Sequence, residues 1–426
     1  MTDAATDGLT FYLVGGAVRD ALLGEPVKDR DYVVVGTTPD EMLARGFRPV
    51  GKDFPVFLHP ETHDEYALAR RERKTSPGYH GFAVHAGPEV TLEEDLGRRD
   101  LTINAIARSE PGALVDPFGG QADAAARVLR HVTEAFSEDP VRVLRLARFA
   151  ARLPDFSVHP DTNLLARQMV EAGELHALVA ERVWQELRGA LLTARPSRFL
   201  TVLRECGALK VVLPEVDALF GVPQTAEYHP EVDTGVHVGM VLDQAAAMGL
   251  DETARFACLV HDLGKALTSE DELPSHRGHE ASGLTPLRAL CKRLRVPKNH
   301  QRLAERVCEH HLRCHRALEL RPGKVLKLIE LCDGLRNPDQ FEQFLGACEA
   351  DARGRGGGLD RKPYPQRRFL TAALAAARGV STAPMREAGL EGLALANALR
   401  QARIAAIKAL PRPDGRSGAG SDPLGV

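Results

Sequence analysis

Asp29 and Asp31 flank Arg30 immediately before the β-branched run Tyr32–Val35. Carboxylates two residues apart on a strand point to one face, and two anions so placed repel unless a cation lies between them. Mg²⁺, which prefers oxygen ligands, answers that need; a solvent-facing polar strand is the plainer alternative. Gly16 lies thirteen residues before Asp29 and follows Gly15, where the apolar strand Phe11–Val14 passes into the helical pattern Ala17–Leu23. Backbone amides at such a turn can approach a phosphate. The segment is neither a Walker loop nor a dinucleotide-binding fingerprint. Glu65, on the strand-like EYALARRE, is a candidate third carboxylate or simply solvent-facing.

Two groups of arginines suit anionic oxygens. Arg98 and Arg99 precede Asp100, which can cap a helix expected over Asp100–Ala107. Capping accounts for the acid but not for two adjacent guanidiniums, which match phosphate geometry. In EDPVRVLRLARFAAR, Pro140 sits at a first helical position behind Asp139. Arg142, Arg145, Arg148 and Arg152 follow at steps of three, three and four and share about one third of the helix surface, with apolar residues opposite. Such a stripe repels itself unless acids or an anionic ligand neutralise it. Arg70, Arg71, Arg73 and Lys74, with Ser76-Pro77-Gly78 behind them, read as a basic flexible loop.

A second constellation gathers histidines between 229 and 315: His229, His237, His261, His276, His279, His310, His311 and His315, with Asp262 beside His261 and Asp351 downstream. VHDLGK places His261 and Asp262 at the end of an apolar helix, where both reach one ion. Imidazole with carboxylate and no thiolate favours a transition metal over Mg²⁺ alone. GHEASG is not a His-Glu-x-x-His motif, which excludes a zincin protease.

The elements that must position these groups form two regions. A mixed α/β head occupies residues 1–136, with further short strands at Val56–His59 and Tyr66–Ala69. A long helical body follows, giving an α+β chain overall: a neck over 137–228, the histidine-rich unit over 229–351, and a tail over 352–426. ARGRGGGLDRKPYP (352–365) reads as a linker, and DGRSGAGSDPLGV as a disordered end. Arg353, Arg355, Arg361, Lys362, Arg367 and Arg368 are candidate nucleic-acid backbone contacts there or a solvated basic stretch. The 426 residues carry 55 Lys and Arg against 58 Asp and Glu, a net charge of −3, so a general nucleic-acid coat is excluded and any such binding must be local. Hydrophobic residues at 44% and charged ones at 27% are ordinary for a globular protein. The absence of a long apolar run and the seven cysteines without a Cys-x-x-Cys pair point to a soluble, cytoplasmic protein with no membrane partner and with reduced thiols.

VGGAVRD, the DRD strand, RRDLTINA and EDPVRVLR, in this order, resemble the bacterial CCA-adding tRNA nucleotidyltransferases, and FPVFLHP and LPEVDALFGVPQ extend the resemblance over most of the chain. It is strongest to the branch that carries an HD phosphohydrolase domain. The resemblance implies template-independent addition of CCA to tRNA from CTP and ATP, with release of pyrophosphate, by a monomer or homodimer. It assigns Mg²⁺ to Asp29 and Asp31, triphosphate contacts to Gly16, Arg19, Arg99, Arg145 and Arg148, and the incoming base to Asp139 and Arg142. That last assignment has independent physical sense. C and A both present an amine donor beside a ring-nitrogen acceptor, which a carboxylate and a guanidinium can read together; G and U put a carbonyl where the amine should be. The HD superfamily pattern assigns a metal such as Ni²⁺ or Mn²⁺ to His237, His261, Asp262 and Asp351. It implies phosphatase, 2′-nucleotidase and 2′,3′-cyclic phosphodiesterase activities, with His261 and Asp262 catalytic. His276, His279, His310 and His311 complete or extend that set. A poly(A) polymerase of the same superfamily is the nearest alternative. An alarmone synthetase/hydrolase is another, although its usual order places the HD domain first.

Overall fold

A computed structural model describes residues 4–50, 56–74, 82–110 and 112–412. The chain divides into two compact units, one of residues 1–186 and 201–212, the other of 187–200 and 213–426.

The first unit is built on strands β1 (Thr10–Val14), β2 (Asp31–Val35), β3 (Arg48–Val50), β4 (Val56–Leu58), β5 (Glu65–Leu68), β6 (Arg70–Lys74), β7 (Phe82–Ala86), β8 (Ala107–Ser109) and β9 (Leu114–Val115). Seven of them form one sheet in the order β3-β4-β5-β2-β1-β8-β9, and β6 and β7 form a separate antiparallel ribbon. All neighbours in the sheet are antiparallel except β2 and β5, which run parallel with Asp31 opposite Glu65. Valine and aromatic residues suit these pleated, buried strands. Alternation along β2 sends Val33 into one core, with Val14, Leu96 and Ala107, and Val34 into another, with Met42, Phe47 and Phe57. Helices Gly16–Leu22, Leu92–Gly97, Val141–Arg152 and Pro160–Glu171 are among those that complete the unit. Thr91 and Glu94 close a capping box at the second of these.

Three expectations change in this unit. The helix expected over Asp100–Ala107 is one 3₁₀ turn, Thr102–Asn104, running into β8. Leu101, Ile103, Ala105, Ile106 and Ala107 are all buried, so the segment has no polar face to turn to water, and β1 offers an open edge that takes Ala107–Ser109 as a strand. The basic stretch from Arg70 to Lys74 is not a loop but β6, paired with β7; Ser76-Pro77-Gly78 lie outside the described residues. Asp29 precedes the strand rather than belonging to it. β1 reaches only as far as Asp31, opposite Val14, and Gly15 then turns away, leaving Asp29 and Arg30 no strand to pair with.

The second unit is helical. Helices Thr234–Ala247, Glu252–Val260, Lys298–His315 and Pro338–Arg353 pack on one another, and Pro322–Leu331, Pro365–Arg378 and Gly392–Lys408 pack beside them. The 352–365 segment is not a free linker. Gly356 N–H donates to Glu231, the Arg353 guanidinium donates to the Asp360 carbonyl, and Tyr364 is anchored on His315. The glycines suggested a flexible tether, but these contacts tie the segment down at both ends. All seven cysteines are free and buried. The expected disordered end at 414–426 lies outside the described residues. Among the described residues, no helix is long and apolar enough to cross a membrane.

Candidate functional sites

In the first unit a cavity of about 640 Å³ brings together Gly15, Gly16, Arg19, Asp31, Glu65, Arg99, Asp139, Arg142, Arg145 and Arg148, joined by Arg152 and Arg182. Of the expected residues only Asp29 is missing from its wall; Asp29 is exposed two residues before β2, and its charge still acts on Asp31. Burial raises the Asp31 pKa, the Arg99 guanidinium lowers it, and Asp29 raises it again, leaving it above the usual carboxylate value. An acid at the open end of a strand with two acidic neighbours, one in sequence and one across the parallel ladder, is short of positive charge. An oxygen-ligated divalent cation fits that deficit.

The turn next to this acid depends on glycine. Gly15 has φ +69, a conformation costly for other residues, and a Cβ there would meet Arg99 Nη1 at 3.0 Å. The turn therefore lets a guanidinium lie against the start of the helix Gly16–Leu22.

Three arginines of the stripe, and Arg19, Arg98 and Arg99 beside it, are paired with acids of the same unit. Arg19 donates to Asp20 at 2.8 Å and to the Asn104 side chain at 2.6 Å, and it lies over the Phe149 ring. Arg152 reaches the other Asp20 oxygen at 2.8 Å. Arg98 and Arg99 share the buried Asp95 at 2.7 and 3.1 Å. Arg145 donates to Asp100 at 2.8 Å, and Arg148 to Glu186 at 2.5 Å. Burial works to raise the Asp100 pKa, but Arg145, the Asn104 amide and the Leu101 N–H outweigh it and hold it at about 2. Relative to an ordinary aspartate that shift stabilises the fold by about 2 kcal/mol at neutral pH, a contribution lost as pH falls from about 4 toward 2. Each guanidinium is thus aimed before any anion arrives.

The expected base-reading pair is engaged otherwise. Asp139 accepts two hydrogen bonds from Arg182, at 3.0 and 2.7 Å, and one from Val141 N–H at 3.1 Å. Arg142 donates to the carbonyls of Ala135 and Arg98, at 2.6 and 2.7 Å. Sequence reasoning missed Arg182, Asp20, Asp95 and Glu186; Arg182, Glu186 and the Asp20–Arg152 pair act across 38 to 132 residues, whereas Asp95 meets Arg98 and Arg99 locally.

In the second unit the four helices bury His237, His261, Asp262 and Asp351 together. His237 Nε2 lies 3.1 Å from Asp351 Oδ1, and His261 Nε2 lies 3.1 Å from Asp262 Oδ2 and 3.6 Å from Asp351 Oδ1. His261 Nδ1 donates to the Cys258 carbonyl at 2.8 Å, which turns Nε2 toward these carboxylates. That nitrogen and Asp262 Oδ1 are buried without a hydrogen-bond partner, while Asp262 Oδ2 is met by the Lys265 ammonium at 2.7 Å. Burial opposes charge on His261, yet Asp262 and Asp351 outweigh it and raise its pKa to about 10, the mark of a pocket that keeps positive charge between its acids. A borderline divalent cation suits this donor set.

Partners around these residues fix their aim. Glu231 Oε1 is 3.0 Å from Nδ1 of both His229 and His237. Burial raises the Glu231 pKa, but hydrogen bonds from the two histidines prevail and hold it well below the usual range. A carboxylate behind a ligating histidine orients the ring and increases its basicity. His315 lies 2.7 Å from Asp351 Oδ2 through Nε2 and 2.8 Å from the Tyr364 hydroxyl through Nδ1. Glu231 and Tyr364 carried no signal in the sequence. His276 is spent on Thr268 and the Pro223 carbonyl. His310 is absent from the cluster because it stands one position from His311 on their shared helix and so faces about 100° away. In the tail, Arg353 and Arg367 are tied to Glu349, and Arg355 lies 3.9 Å from Asp351, while Arg361, Lys362 and Arg368 are exposed.

Residues 11–130 match the Poly A polymerase head domain, 155–220 the probable RNA and SrmB-binding site of polymerase A, and 234–338 the HD domain. The chain is 61% identical over 399 residues to the Multifunctional CCA protein of Chromobacterium violaceum, covering 94% of this chain and 98% of that one. It is 60% identical over 402 residues to that of Methylococcus capsulatus, covering 94% of each. Its fold is shared by the Thermotoga maritima CCA-adding enzyme solved with tRNA, at TM-score 0.62 and 20% identity, covering 96% of this chain and 90% of that one. With a polymerase head, an HD domain and this identity along nearly its whole length, the chain belongs to the multifunctional CCA protein family.

Proposed function

We propose that the head adds C, C and A to the 3′ end of tRNA from CTP and ATP, without a template. The HD unit would hydrolyse phosphate esters, as a phosphatase, 2′-nucleotidase and 2′,3′-cyclic phosphodiesterase on damaged tRNA ends. The observation that carries the first reading is the cavity where an acidic strand edge, a glycine turn and acid-tethered arginines converge. The names of the relatives support it. The segments would be a head at 1–136, a neck at 137–228, an HD unit at 229–351 and a tail at 352–426, in which exposed Arg361, Lys362 and Arg368 meet the tRNA backbone. The setting would be the cytoplasm, as a monomer or homodimer.

In this reaction the tRNA 3′-hydroxyl oxygen bonds to the α-phosphorus of the nucleotide, the bond to pyrophosphate breaks, and the hydroxyl proton is released. Asp29 and Asp31, with Glu65 beside them, would hold Mg²⁺, which when bound acidifies the attacking hydroxyl and neutralises charge on the leaving group. Arg19, Arg99, Arg145 and Arg148 would take the triphosphate oxygens without reorienting, since their acids already hold them. Gly16 would let the backbone amides approach. Asp139 would accept from the exocyclic amine of C or A while Arg142 donates to the ring nitrogen. To do so, Asp139 must share or release Arg182, and Arg142 must leave its carbonyls. In the HD unit His237, His261, Asp262 and Asp351 would hold Ni²⁺ or Mn²⁺, which when bound activates water for attack on phosphorus. Glu231, His315 and Tyr364 would keep the ligands aimed.

Asp139→Ala removes one charge-assisted hydrogen bond to the base. It is expected to lower kcat/KM for CTP and ATP about 10- to 100-fold and to leave GTP and UTP unchanged. Competition assays with mixed nucleotides measure this; intact selectivity in the variant would remove Asp139 from base recognition.

A further inference from the structure

Three of the guanidiniums assigned to the triphosphate surround one aromatic ring. Arg148 Cζ lies 4.9 Å from the centre of the Phe149 ring, Arg19 Cζ 5.1 Å and Arg145 Cζ 5.8 Å. Two of the three come from the ring's own helix, Val141–Arg152. Arg145 stands four residues earlier, one turn away on the same face, and Arg148 is adjacent. Arg19 arrives from the helix Gly16–Leu22, behind the glycine turn. Phe149 is only 4% exposed, yet its ring lines the cavity that holds the arginines.

Apolar packing explains a large side chain at this position but not three cations gathered on it. Each guanidinium is paired with a different acid, Arg19 with Asp20, Arg145 with Asp100 and Arg148 with Glu186. Those pairs do not require a common meeting point, and like charges brought together repel. The face of an aromatic ring carries partial negative charge and attracts a guanidinium within about 6 Å of its centre. It does so without consuming the N–H groups that a phosphate oxygen needs. A carboxylate in the same place would hold the cations but repel an incoming triphosphate. An aliphatic side chain would fill the volume and hold none of them.

We propose that Phe149 is a positioning residue for triphosphate binding, its ring gathering Arg19, Arg145 and Arg148 and offsetting their mutual repulsion before a nucleotide arrives. The proposal rests on reading the arginine-lined cavity as the seat of the nucleotide triphosphate. The ring acts through arginines that meet phosphates common to all nucleotides. It therefore strengthens CTP and ATP alike and takes no part in the choice of base.

The test separates the ring's charge distribution from its bulk. Equilibrium binding of CTP, ATP and inorganic tripolyphosphate is measured on the full-length protein and on Phe149→Leu. Two further proteins carry a mono- or a trifluorinated phenylalanine in place of Phe149, which keeps the ring's shape and drains its face. Phe149→Leu is expected to weaken all three ligands about 10-fold, and the fluorinated series to weaken them progressively, to about 5-fold with three fluorines. The fluorinated proteins should melt with the parent and keep its preference for CTP and ATP over UTP and GTP. A residue that only fills the core would lower the melting temperature of Phe149→Leu and leave the fluorinated proteins binding as the parent does. That result overturns the proposal, as does a loss of nucleotide affinity that spares tripolyphosphate. A parent that binds none of the three ligands overturns the triphosphate reading of the cavity as well.

Discussion

Asp31→Ala is expected to cut the rate of CTP incorporation at least about 1,000-fold while tRNA binding stays within a factor of about two, because the substitution removes the proposed metal-holding acid and no basic contact. Asp31 is the acid for which the case is firmest. It stands at the first position of β2, opposite Glu65 on the parallel partner, and lines the cavity that holds the arginines. Its raised pKa adds a prediction of opposite sign. Ionised at neutral pH, the carboxylate costs the folded state energy, so its removal should leave thermal stability unchanged or slightly raised. A dead enzyme with an undiminished melting temperature is therefore the signature, measured by primer extension on tRNA lacking CCA beside a thermal melt. Near-normal incorporation by the variant would remove the metal assignment.

His261→Ala and Asp262→Ala should each lower phosphate release from a 2′,3′-cyclic nucleotide by at least about 100-fold and leave CCA addition intact. The separation is expected because the histidine cluster and the arginine-lined cavity belong to different compact units, each with its own core. The stability outcome differs from that of Asp31. Asp262 is buried against His261 and Lys265, and its removal leaves both cations without their acid. Asp262→Ala should accordingly lower the melting temperature, and so should His261→Ala, which removes the ring lying between Asp262 and Asp351. Phosphate release that survives both substitutions would place the hydrolytic chemistry elsewhere.

The parts legible in the sequence are those whose chemistry is local. The glycine turn and the Arg142–Arg152 stripe announce themselves by spacing, because strand and helix periods place neighbouring side chains predictably. His261 and Asp262 are adjacent, and their burial follows from the apolar helix before them. What the sequence withheld is partnership at a distance. Nothing near Arg152 points to Asp20, 132 residues away, and nothing near His237 points to Asp351, 114 residues away. The resemblance supplied Asp351; no resemblance was read for Glu231, Tyr364 or Arg182. Composition misled at 352–365, where glycines argued for a tether although its tyrosine is fixed on His315. At Asp100 a plausible capping acid suggested a helix, while its carboxylate is committed to Arg145 and Asn104 and the apolar residues after it to the sheet.

The central claim is that the head builds a short, defined sequence by reading the incoming nucleotide. The most direct measurement offers purified protein a tRNA lacking CCA with one nucleotide at a time, and resolves the products by length. CTP alone should add two residues and stop, ATP alone should extend only a tRNA already ending in CC, and by one residue, and GTP and UTP should add nothing. A ladder of adenylates from ATP alone on tRNA lacking CCA would contradict the account and identify a poly(A) polymerase instead.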